Sequence, residues 1–243
     1  MRPHTQRLAY ASVSSPVDQA APHLSTASGP ITPREPLGCH IVGIGASAGG
    51  LAPIEQFLQN VPVDSGCAYI VVQHLDPTQK AVLGQLLQRI TPLPVQEVTT
   101  SMVIEPHHVY VIPPNKELTI AEGRLILRPP SEPRGMRLPI NVLFSSMAQS
   151  VGSRAIGVVL SGMGSDGTQG LRAIQAVGGL TLAQDPASAQ FDAMPTSAIA
   201  AQCVDIVAAP HEMPSRTPWR NKSPSRTRPP LQVSNPHCKR SLI

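Results

Sequence analysis

The chain has 243 residues, 41% of them hydrophobic, 3% aromatic and 14% charged, with 27 prolines, 18 glycines, 4 cysteines and a formal net charge of +4. That length fits one sizeable domain or two small ones. No apolar run approaches the roughly 18–20 residues that span a bilayer, MRPHTQRLAYASVSS lacks the apolar stretch of a secretory signal, and the cysteines show no CxxC spacing, which argues against a zinc ribbon, a redox pair or a disulfide scaffold.

Residues 1–38 hold three Lys/Arg and two Asp/Glu and show neither helical nor strand periodicity, so they are expected to be disordered. From residue 39 the pattern changes. CHIVGIG (39–45), AYIVVQ (68–73), AIGVVLSG (155–162), LTLAQ (180–184) and CVDIV (203–207) are apolar throughout, as strands buried on both faces are. Helical spacing separates them: Leu51, Ile54, Phe57 and Leu58; Val82, Leu83, Leu86 and Leu87; Val142, Leu143, Met147 and Val151; Leu171, Ile174 and Val177. Strands alternating with helices predict an α/β fold with a doubly wound, mainly parallel sheet. The exception is 109–128, where VYVIPP, ELTI and RLILR, with AEG at 121–123, read as an antiparallel hairpin inserted into the sheet. Cys39, Cys67, Cys203 and Cys238 read as mostly buried small apolar residues.

Residues 211–243 hold seven basic residues and one acidic, leaving nine basic and twelve acidic, net −3, for the middle of the chain. The positive charge belongs to the ends. The tail, with TPWRNKSPSRTRPP, is expected to be disordered; Trp219 is its only aromatic and it fits no nucleic-acid fold signature, so no specific nucleic-acid partner is expected. The domain plan is a disordered segment at 1–38, a folded domain at 39–210 and a disordered basic tail at 211–243. A cytoplasmic protein without membrane insertion is the corresponding expectation; oligomeric state stays open.

In open parallel sheets, reactive groups gather beyond the carboxyl ends of the strands. After the first predicted strand, Gly45 to Gly49 fits G-x-S-x-G, a turn that leaves the Ser47 hydroxyl exposed at a helix N-terminus, with the Ala48 N–H as a candidate oxyanion donor. The plainer reading is a glycine-rich turn whose serine caps the helix. Gly43, Gly45 and Gly49 also make a variant dinucleotide fingerprint, but the second strand ends in Gln73-His74 where that reading needs an acidic residue. His74 at that strand end is placed to serve as the near-neutral base a serine nucleophile needs. Asp166, in GMGSDG after AIGVVLS, either caps the next helix or orients His74, and the backbone around Met163 is a second oxyanion candidate. A serine, a histidine and an aspartate at one sheet edge read as a serine esterase or amidase. Their order in the chain differs from that of α/β-hydrolases, subtilisin-like and chymotrypsin-like enzymes. Without HExxH, paired His/Cys ligands or clustered carboxylates, neither metal nor cofactor is expected.

These stretches, IVGIGASAGGL, VVQHLDP, GVVLSGMGSDGTQGL and AQFDAMPTSAI, resemble the catalytic domain of the chemotaxis protein-glutamate methylesterases, the CheB type, from about residue 42 to 207. The resemblance implies hydrolysis of glutamate γ-methyl esters on chemoreceptor helices, with deamidation of glutamines in many members. It also implies a serine nucleophile, a histidine base and an aspartate at Ser47, His74 and Asp166. Typical members carry a phosphorylatable receiver domain ahead of the esterase, and the motif context resembles esterase modules followed by a methyltransferase. With about 38 residues before the first strand and an Arg/Pro/Ser-rich tail, the expectation is an esterase domain without either neighbour, a truncated or frame-shifted remnant of such a hybrid being one explanation. Two other readings stand beside the esterase: a catalytically silent module that holds receptor helices, and a dinucleotide-binding α/β domain.

Overall fold

The structure, a computed structural model, describes residues 38–74, 82–133 and 135–217. The ends expected to be disordered, apart from Gly38 and 211–217, lie outside the described residues, as does Cys238.

Seven parallel strands make the main sheet, in the order β10 (Ile206–Ala208), β9 (Leu180–Gln184), β8 (Ala155–Val159), β1 (Ile41–Ala46), β2 (Ala68–Gln73), β5 (Val109–Val111) and β3 (Val95–Glu97). β1 is buried along its whole length because both faces are covered. Val42, Ile44 and Ala46 pack with Ile54, Phe57 and Leu58 of α1 (Leu51–Gln59) and Leu83 and Leu87 of α2 (Val82–Ile90). The opposite face meets α3 (Pro139–Val151), α4 (Thr168–Ala176) and α5 (Ala193–Ala200), with Leu143, Phe144, Met147, Leu171, Ile174 and Met194 in the core. Beyond Pro210 the short α6 (Met213–Arg216) places Met213, wholly buried, in the first of these layers.

The chain runs outward from β1 through β2 on one side and returns to β8 on the other, so the order reverses between β8 and β1. That reversal opens a crevice at the carboxyl ends of those strands. Two β1 glycines let α3 come close to this point. A Cβ on Gly43 would meet Phe144 and Met147 at 2.7 Å, and one on Gly45 would clash with Ile140. Helix packing therefore accounts for two of the three glycines that suggested a dinucleotide site.

The antiparallel hairpin forms, but not in the main sheet. β6 (Glu117–Ala121) and β7 (Arg124–Arg128) pair through Glu122 and Gly123, both at positive φ (49° and 73°), the geometry of a type I′ hairpin turn. With β4 (Ser101–Val103) they make a separate three-stranded sheet. It is tied to α3 by the Ile120 N–H donating to Ser146 Oγ and the Ser150 hydroxyl donating to Ile120 O. VYV belongs instead to the main sheet as parallel β5, all three residues buried. At the far edge the strand expected at 203–207 starts later, at Ile206, after the exposed Asp205, whose carboxylate accepts from both the N–H and the hydroxyl of Thr181.

Candidate active site

Ser47 follows β1 in a tight turn. The Gly50 N–H donates to Ser47 O (3.0 Å) and the Ser47 N–H donates to Ser161 O (3.0 Å) beyond β8. Gly50, not Ser47, occupies the N-cap of α1. The Ser47 hydroxyl is thus free of the capping role and lies 3.2 Å from His74 Nδ1. His74 is held at the end of β2 by its N–H, which donates to Ala46 O (3.1 Å). Its side chain is one-third exposed, and its Nε2 sits 3.1 Å from Asp166 Oδ2.

Asp166, in the loop after β8, is 2% exposed. Four N–H groups converge on its carboxylate: His74 Nε2 and the Ile140 N–H on Oδ2, the Asn141 and Gly167 N–H groups on Oδ1. It therefore caps the start of α3, whereas Gly167 is the N-cap of α4. Asn141 returns the favour to α4, its Oδ1 accepting from Gly167 and Gly170. Because a carboxylate only accepts, Nε2 must carry the imidazole hydrogen, which leaves Nδ1 as the acceptor facing Ser47. The two ring nitrogens are used in the opposite sense to the chymotrypsin-type triad, where Nε2 faces the serine.

The three candidates from three loops are therefore brought together in one hydrogen-bonded series. Of the two oxyanion candidates, neither the Ala48 nor the Met163 N–H donates a hydrogen bond among the described residues. Met163 is 65% exposed. Gly162 lets this loop approach the nucleophile, since a Cβ there would lie 2.9 Å from Ser47 Cβ and would clash with Met194 Sδ. A cleft of about 490 Å³ leads away from His74, Met163 and Asp166 toward Pro114, Asn115 and Arg137, whose guanidinium donates to Asn115 Oδ1.

Other nucleophiles are poorly placed. Burial pushes the Cys67 thiol up to about 12, and Cys39 and Cys203 are raised for the same reason. His107 and His108 are turned to the backbone carbonyls of Val63 and Pro106. Among the described residues no group of His, Cys, Asp and Glu could hold a metal ion, and no helix is long and apolar enough to cross a membrane. The supporting residues Asn141, Ser161 and Gln184 were not legible as site residues, since their partners lie 23 to 113 residues away in the chain.

An open parallel sheet carrying a serine, a histidine and an aspartate in series at its switch point has the groups that serine hydrolases use. The chain belongs to the CheB methylesterase family, whose model matches residues 42–217. It is 37% identical over 171 residues to protein-glutamate methylesterase/protein-glutamine glutaminase 1 of Myxococcus xanthus (strain DK1622), a match covering 69% of this chain and 50% of the relative. An uncharacterized 104.1 kDa protein in the hypE 3'region of Rhodobacter capsulatus is 47% identical over 123 residues, 51% of this chain and 13% of that protein. The crystal structure of the Thermotoga maritima CheB methylesterase catalytic domain matches with a TM-score of 0.68 at 27% identity, covering 73% of this chain and 96% of that one. This chain thus spans half or less of the length of the two curated relatives.

Proposed function

We propose that the chain is a protein-glutamate methylesterase that hydrolyses glutamate γ-methyl esters on chemoreceptor helices in the cytoplasm, with deamidation of glutamine as a second reaction at the same site. The observation that carries this reading is the hydrogen-bonded series Ser47, His74, Asp166 at the switch point of a CheB-family domain. The relative from Myxococcus xanthus bears both activities in its name.

In the first step Ser47 Oγ attacks the ester carbonyl while its proton passes to His74 Nδ1. The resulting oxyanion is met by the Ala48 and Met163 N–H groups, which have no other partner among the described residues. Asp166 holds Nε2–H and stabilises the imidazolium. Collapse breaks the bond to the methoxy group, which takes the proton from Nδ1 and leaves as methanol. A water then attacks the acyl-enzyme, giving its proton to Nδ1, and the proton returns to Ser47 Oγ as the glutamate side chain is released.

The test is methanol release from methylated chemoreceptor fragments by the purified chain. Release proportional to enzyme and saturable in receptor is expected; receptor binding with no methanol would favour a silent receptor-binding module instead. Gly162→Ala gives a further check. Its methyl must displace Met194 or Ser47, so methanol release should fall by at least about 10-fold, while the strain lowers stability by about 1–3 kcal/mol in a thermal melt. A Gly162→Ala enzyme with full activity would mean that the 162–166 loop need not lie against Ser47.

A further inference from the structure

Ser161 lies at the centre of the site without touching the space where substrate would react. It is wholly buried. Its N–H donates to Gln184 Oε1 (2.9 Å), and Gln184 is itself anchored through Nε2 on Ser188. Its hydroxyl accepts the Phe191 N–H at 3.0 Å and has Ala48 O at 3.0 Å and Phe191 O at 3.3 Å. A hydroxyl has one proton to give, and the nearer carbonyl is that of Ala48.

The Ala48 carbonyl belongs to the central peptide of the turn from Ser47 to Gly50. Gly49 has φ +67°, the value a type II turn requires at its third position. Type I and type II turns differ by rotation of that central peptide, and a glycine at the third position accepts either form. Ser161 provides the only hydrogen bond to Ala48 O among the described residues. Without it, nothing on that carbonyl opposes rotation of the peptide next to the nucleophile.

We infer that Ser161 is a positioning residue: its hydroxyl holds the Ala48–Gly49 peptide in its type II orientation, and through it keeps the Ser47 side chain and the Ala48 N–H aligned for attack. This rests on the esterase reading above. The Gln184 and Phe191 contacts fix Ser161 from behind, so the turn is held against the 184–191 segment as well as against β8.

The experiment titrates the active serine of the full chain with a fluorophosphonate and measures methanol release per titrated site. Ser161→Ala should lower kcat per titrated site about 10- to 100-fold, with KM within about twofold of wild type, because alignment in the transition state is lost rather than substrate binding. The pH profile should keep the position of its acidic limb, since the contact between His74 and Asp166 is untouched. A purely structural role would instead reduce the fraction of titratable sites and leave kcat per site unchanged, and that result overturns the inference. If the alanine protein does not fold, Ser161→Cys, which fills the same space with a weaker donor, carries the same comparison: a loss per site supports the inference and parity overturns it. Wild-type protein that neither titrates nor releases methanol would overturn the esterase reading itself, an outcome distinct from both.

Discussion

Ser47→Ala is expected to abolish methanol release, by about five orders of magnitude or more, with an unchanged far-UV circular dichroism spectrum and thermal midpoint. The size of the effect follows from the mechanism proposed above: without Oγ no acyl-enzyme would form, and only the oxyanion donors and substrate positioning would remain. The absence of a structural effect follows from the local contacts. The turn is closed by backbone groups, the Ser47 N–H on Ser161 O and the Gly50 N–H on Ser47 O, and the hydroxyl makes its hydrogen bond to His74 alone. Binding of receptor fragments should survive. An alanine protein that releases methanol at the wild-type rate would remove Ser47 from the reaction altogether.

Asp166→Asn should be nearly as damaging, lowering kcat about 10⁴-fold, and unlike Ser47→Ala it should also destabilise the fold. The reason lies in the four N–H groups that fill the carboxylate. An asparagine replaces one oxygen by an NH₂. If that NH₂ takes the Oδ2 position it strands the Ile140 N–H and faces His74 Nε2, which must then become the acceptor. The ring hydrogen moves to Nδ1 and the base is lost to Ser47. If it takes the Oδ1 position it faces the Asn141 and Gly167 N–H groups, stranding two donors at the junction of α3 and α4 at a cost of about 1–3 kcal/mol each. Either rotamer costs something, so the expected outcome combines the loss of rate with a lowered thermal midpoint. Activity near wild type together with an unchanged thermal midpoint would show that the tautomer of His74 is not set by Asp166.

The candidate site was largely legible because Ser47 and His74 sit immediately beyond strands and Asp166 in the loop that follows one, where chemistry-bearing side chains stand out against apolar runs. Adjacency of the β1 and β2 edges had to be assumed, and the β8-β1-β2 order supplies it. What supports the three residues was not legible. Ser161 and Asn141 are ordinary polar residues in the sequence; they gain meaning only when the fold sets Ser161 against Ala48 and Asn141 against Gly167. The glycines were ambiguous for a related reason. Gly43 and Gly45 fit a phosphate-binding pattern, yet the space they leave is filled by Phe144, Met147 and Ile140 of α3, which no local pattern reveals.

The sheet was legible where strands were five or six residues long and mainly apolar, as with AYIVVQ and LTLAQ, whose limits match β2 and β9. It failed where strands were three residues long. VYV reads in sequence as part of the hairpin because it lies just before it in the chain, although its unbroken burial is that of a central parallel strand. The hairpin turn does fall at AEG, where two successive residues, Glu122 and Gly123, take positive φ.

The most direct measurement is to react the wild-type chain with a fluorophosphonate, digest it and locate the adduct by mass spectrometry while following methanol release in the same sample. One adduct per chain on Ser47, with methanol release lost in proportion to labelling, is the expected result. An adduct on a different residue, or complete labelling of Ser47 with methanol release continuing, would contradict catalysis by Ser47, His74 and Asp166.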